Sequence, residues 1–300
     1  MVVFEQVFIL FFFGIIGYTL AKTGVVDAAH GKLLSALLVY VLLPANIFNT
    51  FSVRFTVGYI SENASFLGLS FLVVGALSVL GFFVGRLFSR DPYEQRIFEY
   101  TTVSPNFGYF GYALAASLFG DALEIMVFTM PVQIYVHTYG FARLTKSRFR
   151  LKELLQPVTL AILLGAVVGL SSLPLPSVVT DVAGRAAACM GPVSMLLAGI
   201  VVSEYRLRDM FTDKRTYLIT AIRLLALPLL GGLLLTPFTT PVQLASIVLF
   251  LSLPCGLNTV VFPKLVDEDC HLGASMAIIS NILACLTIPL VLWIFGIGAV

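Results

Sequence analysis

Long apolar runs recur along the whole chain, separated by short polar stretches. A bilayer core about 30 Å thick needs about 20 apolar residues per helix. On that measure the chain divides into ten spans: 2–21, 33–52, 63–88, 95–118, 122–143, 154–171, 180–203, 215–236, 241–265 and 272–297. The expected fold class is all-α integral membrane, with ten transmembrane helices. The first run lacks a basic leading segment and a small-residue cleavage site, so it reads as span 1, not as a removable signal. Ten spans leave room only for short loops, and no appended soluble domain is expected.

Composition agrees. Of 300 residues, 59% are hydrophobic and 11% charged, and mean hydropathy is +0.99. A soluble domain carries about 25% charged residues, so a chain this poor in charge could not cover a water-facing surface. Lipid is the simple solvent for it. No nucleic-acid partner is expected.

The net charge of +2 is uninformative, but its distribution is not. Loops after the odd-numbered spans hold Lys22 and Lys32; Arg86, Arg90 and Arg96; Arg143, Lys146, Arg148, Arg150 and Lys152; Arg206, Arg208, Lys214 and Arg215; and Lys264. That is fifteen of the eighteen basic residues. The even-numbered loops offer Arg54, with Arg185 near the start of span 7. By the positive-inside rule the odd loops are cytoplasmic, which places both termini on the non-cytoplasmic side of the cell membrane.

The two halves look alike. Pro44 in span 2 and Pro105 in span 4 are 61 residues apart; Pro192 in span 7 and Pro254 in span 9 are 62 apart. Residues 1–146 and 147–300 then form two five-span repeats. Five is odd, so the second repeat enters the membrane in the opposite sense: a 5+5 inverted repeat, a common transporter plan.

The candidate site lies at the matched prolines. Residues 101–120 read TTVSPNFGYFGYALAASLFG and residues 251–265 read LSLPCGLNTVVFPKL. Pro105 and Pro254 each remove a backbone donor and clash with the preceding turn. Gly108, Gly111 and Gly256 lower the cost of unwinding. Unpaired backbone in lipid costs several kcal/mol per group, so broken helices persist only where protein or a watery cavity supplies partners. Paired breaks in matching spans of an inverted repeat point to a substrate site, and half-helix N-termini favour anions. Taken singly, each proline or glycine is equally a kink or a packing notch.

Other polar residues are candidates for the same cavity: Asn46 and Asn49 in span 2, Gln133 and His137 in span 5, Ser280 and Asn281 in span 10. Interhelical hydrogen bonding competes as the explanation for each. Arg223, in span 8, either attracts an anionic substrate or snorkels to the cytoplasmic end. No acidic residue sits at the centre of a span; Glu99, Glu124, Asp181 and Glu204 lie near ends. No metalloprotease, hydrolase or nucleotide-loop motif occurs, so neither an enzyme nor a resident cofactor or metal is expected. Cys189, Cys255, Cys270 and Cys285 lack ligand spacing and read as small buried hydrophobes.

Span 2 (YVLLPANIFNTF), the Asn106–Gly111 stretch NFGYFG and the run from PCGLNTVVF to SNILACLTIPL resemble the auxin efflux carrier family, over nearly the whole chain. That family includes plant auxin exporters and bacterial permeases assigned to malate or malonate. The resemblance implies that spans 4 and 9 are broken and cross at Pro105 and Pro254. It implies a scaffold of spans 1, 2, 6 and 7, often dimeric, and a transport unit of spans 3–5 and 8–10 moving as an elevator. A small organic anion would bind beside the crossing, at Asn106 and Asn258. Asn106 directly follows its proline, whereas Asn258 comes four residues after Pro254, so the two are not symmetric. The long cytoplasmic loop of the plant members is absent, residues 143–153 standing in its place, and span 3 carries no charged group for a proton. Two alternatives remain open: a sodium- or proton-coupled carrier of amphipathic anions, and a non-transporting receptor with the same fold.

Overall fold

The computed structural model describes residues 2–146, 156–264, 266, 268, 269 and 271–297. The basic stretch at 147–153, the division between the halves at 146/147 and Cys270 therefore lie wholly or partly outside the described residues.

The described residues are mostly helical, and no strand is formed among them. In order come α1 (Val2–Lys22), α2 (Ala28–Leu37), α3 (Leu43–Arg54), α4 (Val57–Phe88), α5 (Pro92–Val103), α6 (Tyr112–Phe119), α7 (Leu123–Phe128), α8 (Met130–Tyr135) and α9 (Phe141–Thr145). Then follow α10 (Pro157–Ser171), α11 (Ser177–Ser203), α12 (Leu207–Met210), α13 (Lys214–Ala221), α14 (Leu227–Leu235), α15 (Pro241–Ser252), α16 (Asn258–Lys264) and α17 (His271–Ile294). Among the described residues six helical stretches are long and apolar enough to cross a membrane: Glu5–Lys22, Leu33–Arg54, Val57–Phe88, Ser177–Ser203, Lys214–Phe238 and His271–Ile294. Pro157–Ser171 and Pro241–Ser252 are apolar but shorter. Residues 95–118, 122–143 and 241–265, each expected as one span, are divided into shorter helices by breaks and wide turns.

Wide π turns lie within two of the six long stretches. Leu38–Leu42 precedes Pro44 and Ile222–Ala226 precedes Pro228. In each, the next amide bonds five residues back, Leu43 to Leu38 and Leu227 to Ile222. A proline cannot donate and its ring crowds the carbonyl four residues earlier, so widening the preceding turn relieves the clash without breaking the rod. Asn63 kinks α4 at φ −119°. Its amide nitrogen bonds Tyr59 O at 2.9 Å and its oxygen accepts Gln243 Nε2 at 2.7 Å.

Small residues set the packing, as expected where lipid gives no hydrophobic drive to association. α1 lies along α11 and α3 along α10. Any Cβ on Gly17 or Gly199 would strike the facing backbone at Leu196 or Gly14. A Cβ on Gly165 would sit 2.8 Å from Phe51 Cβ. α4 closes on α5 in the same way, with Gly81 against Glu99 O at 2.8 Å and Gly85 against Gln95 O at 2.5 Å. Cys255 is buried, but Cys189 is exposed and Cys285 half-buried, which corrects the expectation of uniformly buried thiols. Cys189 lies on an exposed face of α11.

Candidate functional site

α5 and α15 are matched half-helices. Both are 12 residues long, both open on a proline, and both stop two residues short of Pro105 or Pro254. Their starts are fixed by capping side chains. The Asp91 carboxylate accepts the amides of Tyr93 and Glu94 at 2.8 and 2.9 Å. Thr240 and Gln243 form a reciprocal capping box, satisfying two amides that the helix start would leave bare.

Beyond the half-helices the chain is extended, and the two extended segments cross. Pro105 and Cys255 form an antiparallel bridge, and the Asn106 backbone N–H donates to Pro254 O at 2.8 Å. The Cys255 amide donates to the Ser280 hydroxyl of α17 at 2.9 Å. Glycine is needed at close range: a Cβ on Gly111 would fall 2.5 Å from Leu253 Cδ1, and one on Gly256 would meet Ser104 O at 3.1 Å and Pro105 O at 3.2 Å. After the crossing the chain rewinds, first through a wide turn at Phe107–Gly111 and into α6, and on the other side into α16.

Two polar side chains lie at the crossing, Asn106 deeply buried and Asn258 half-buried. Asn106 is 2% exposed, and its amide nitrogen makes no hydrogen bond within the protein. A buried amide donor without a partner costs about 1–3 kcal/mol, the kind of defect found where a ligand supplies the partner. Asn258 donates to Tyr100 OH at 3.1 Å. Tyr100 belongs to an aromatic group with Tyr135 and Phe262, ring centroids 6.0 and 6.3 Å away.

Arg223 is fully buried, at 0% exposure. Its Nη1 donates to Thr102 O at 2.9 Å and its Nη2 to Phe250 O at 3.1 Å. Those carbonyls belong to the last turns of α5 and α15, so one guanidinium joins both half-helices. It does not reach out toward the membrane surface.

The remaining candidates sit further out. Gly108 faces Leu43 of α3, with 3.8 Å from an added Cβ to Leu43 Cδ2. Gln133 donates to Tyr112 OH at 3.4 Å, and Tyr112 shares a 2.6 Å hydrogen bond with Thr129. Asn46 donates to the Met190 sulfur at 3.3 Å, between α3 and α11. Asn281 bonds back to Ala277 O at 2.7 Å. The structure thus brings together Pro105, Asn106, Pro254 and, through Tyr100, Asn258. It ties Asn46, Gln133 and Asn281 to neighbours of their own.

Sequence reasoning did not single out Tyr100, nor the pairing of Glu99 with Arg143. Glu99 is 6% exposed and accepts Arg143 Nη2 at 3.0 Å. No short-range signal could have paired residues 44 positions apart. At the N-terminal end of α5, Arg215 reaches Glu94 at 2.6 Å and Asp213 at 2.7 Å. Its hydrogen bonds hold both carboxyl groups below their ordinary pKa, against a smaller opposing effect of burial.

A family model described as membrane transport protein matches residues 2–150 and 141–292. No curated protein matches the chain. With nearly its full length matched and several apolar helices able to cross a bilayer, the chain belongs to the membrane transport protein family, the auxin efflux carriers, and is a multi-pass membrane transporter.

Proposed function

We infer that this protein is a secondary transporter that moves a small organic anion, a carboxylate of auxin-like or dicarboxylate type, across the cell membrane. The observation that carries the reading is the crossing of two broken helices at Pro105 and Pro254, beside a buried Asn106 amide with no partner of its own. A carboxylate would accept from that amide and from Asn258, which exchanges its bond to Tyr100 for one to the ligand. Gly108 would give the ligand room beside Leu43, and Gln133, Asn46 and Asn281 would contact it only by giving up their bonds to Tyr112, Met190 and Ala277. Arg223 supplies positive charge behind the crossing.

The architecture we assign is ten spans in a 5+5 inverted repeat, with both termini non-cytoplasmic. The wide turns and short helices combine into single spans: α2 with α3, α5 with α6, α7 to α9, α13 with α14, and α15 with α16. The matched lengths and starts of α5 and α15 support the repeat. The glycine-tight packing of α1 on α11 and α3 on α10 supports a rigid scaffold, which would also carry a dimer contact. The other helices would move against it as one body, an elevator-like exchange of access.

A carboxylate screen on purified protein tests this, by thermal shift and by flux in proteoliposomes, with and without sodium and across pH. Stabilisation by one class of carboxylate, together with saturable flux of the same compounds, is the expected result. Binding with no flux would assign a receptor instead. Flux that depends on sodium would assign the cation-coupled alternative.

A further inference from the structure

We propose that Arg223 is a built-in substitute for a coupling cation: its guanidinium cancels the negative ends of α5 and α15, so the transported anion needs no co-bound metal ion at the crossing. This rests on the transport reading above and deepens it.

The charge balance carries the inference. An α-helix concentrates about half a negative elementary charge at its C-terminus. α5 and α15 end at the same crossing, so together they present about one negative charge in a dry interior. In transporters with broken helices, such ends and the unwound carbonyls beside them hold the sodium ion or proton. Here Arg223 donates to Thr102 O at 2.9 Å and to Phe250 O at 3.1 Å, one carbonyl from the last turn of each half-helix. One fixed positive charge meets about one distributed negative charge. Among the described residues no carboxylate forms an ion pair with Arg223, so the helix ends are its counter-charge. A buried arginine needs such compensation, and snorkelling does not provide it at 0% exposure.

Two consequences follow for transport. An exchangeable cation enters and leaves with each cycle, whereas a guanidinium tethered to the chain does not, so a sodium gradient does no work at this position. Without Arg223, the negative ends of α5 and α15 would offset the helix starts that follow the crossing at Phe107 and Asn258, and so weaken the hold on an anion at Asn106. Arg223 therefore acts as a positioning residue for charge, through the helix ends rather than by touching the substrate.

The test uses the full-length protein as wild type, Arg223→Lys and Arg223→Met. Thermal stability in detergent is measured in choline chloride, sodium chloride and millimolar guanidinium chloride. Flux of labelled malate and of labelled indole-3-acetate into proteoliposomes is measured in the same salts. The wild type should be indifferent to exchange of sodium for choline in both readouts. Arg223→Lys keeps the charge and should remain cation-independent. Arg223→Met should lose roughly tenfold or more of the flux, and should acquire dependence on sodium or guanidinium in both stability and apparent KM for the anion. A merely structural arginine would give no such cation-dependent KM. Wild-type flux that rises with sodium, or an Arg223→Met protein whose stability and flux ignore every cation, overturns the proposal. If Arg223→Met does not fold, the sodium response of wild type and Arg223→Lys decides: indifference supports the proposal and dependence overturns it. Absence of flux in every protein would refute the transport reading alone, because the thermal shifts still decide whether a cation replaces the guanidinium.

Discussion

Adding one methyl group at the crossing offers a quantitative test of the geometry. A Cβ on Gly256 would lie 3.1 Å from Ser104 O, 3.2 Å from Pro105 O and 3.3 Å from Pro105 C. Ordinary contacts begin near 3.4 Å, so the facing strand must yield by a few tenths of an ångström. All three contacts are to backbone, which cannot swing aside as a side chain can. The yielding is taken up by the Asn106 to Pro254 hydrogen bond, 2.8 Å long, which would lengthen to the weak end of the normal range near 3.2 Å. Overpacking of this kind costs about 1–3 kcal/mol, and weakening a buried hydrogen bond adds up to about 1 kcal/mol. The loss of glycine's freedom in the unfolded chain returns about 0.4–1 kcal/mol. Gly256→Ala should therefore be destabilised by about 1–3 kcal/mol. Gly75→Ala is the control: it lies within α4, nothing stands within 4 Å of its Cβ, and helix propensity predicts a gain of about 0.5–1 kcal/mol. The assay is the fraction of monodisperse protein surviving heating in detergent, followed by flux. Equal melting of the two variants would refute the crossing as described.

Other outcomes follow from the same structure. Arg215 holds the Glu94 and Asp213 carboxyl groups below their ordinary pKa. Stability from this cluster is thus fully present above the usual carboxylate range and is lost as pH falls through the lowered values. Arg215→Met should be less stable than wild type at pH 7 by well under about 1 kcal/mol, the pair being partly exposed, and the difference should vanish in acid. Melting curves of both proteins against pH check it, and a difference that grows on acidification contradicts it. Orientation is tested by single cysteines in a background with the four native cysteines replaced by alanine. A membrane-impermeant maleimide should label Leu173→Cys in intact cells and leave Arg206→Cys unlabelled until lysis; the reverse labelling would invert the topology.

Much of this architecture was legible in the sequence, because it depends on residues whose effect is local. Pro105 and Pro254, each followed by glycine within three residues, mark the ends of α5 and α15, whereas Pro192 and Pro289 stay inside α11 and α17, and Asp91-Pro92 and Thr240-Pro241 start a helix. The partners of the buried polar groups were not legible. Arg223 reads equally as a substrate anchor or a snorkelling residue until the carbonyls of Thr102 and Phe250, 121 and 27 positions away, are brought to it. Asn46 looks like a cavity residue, yet its partner is the Met190 sulfur, 144 positions away. Glu99 seemed a residue of a span's end, but α5 stops at Val103 and leaves it deep against Arg143. Such pairings belong to tertiary packing, which apolar periodicity does not encode.

The central claim is that an anion binds where the unpartnered Asn106 amide meets the crossing. The most direct measurement is carboxylate flux in proteoliposomes by wild type, Asn106→Ala and Asn258→Ala, each first shown to be monodisperse and to melt normally. The account predicts saturable flux by the wild type and its abolition in both folded variants. Undiminished flux by both variants would contradict it.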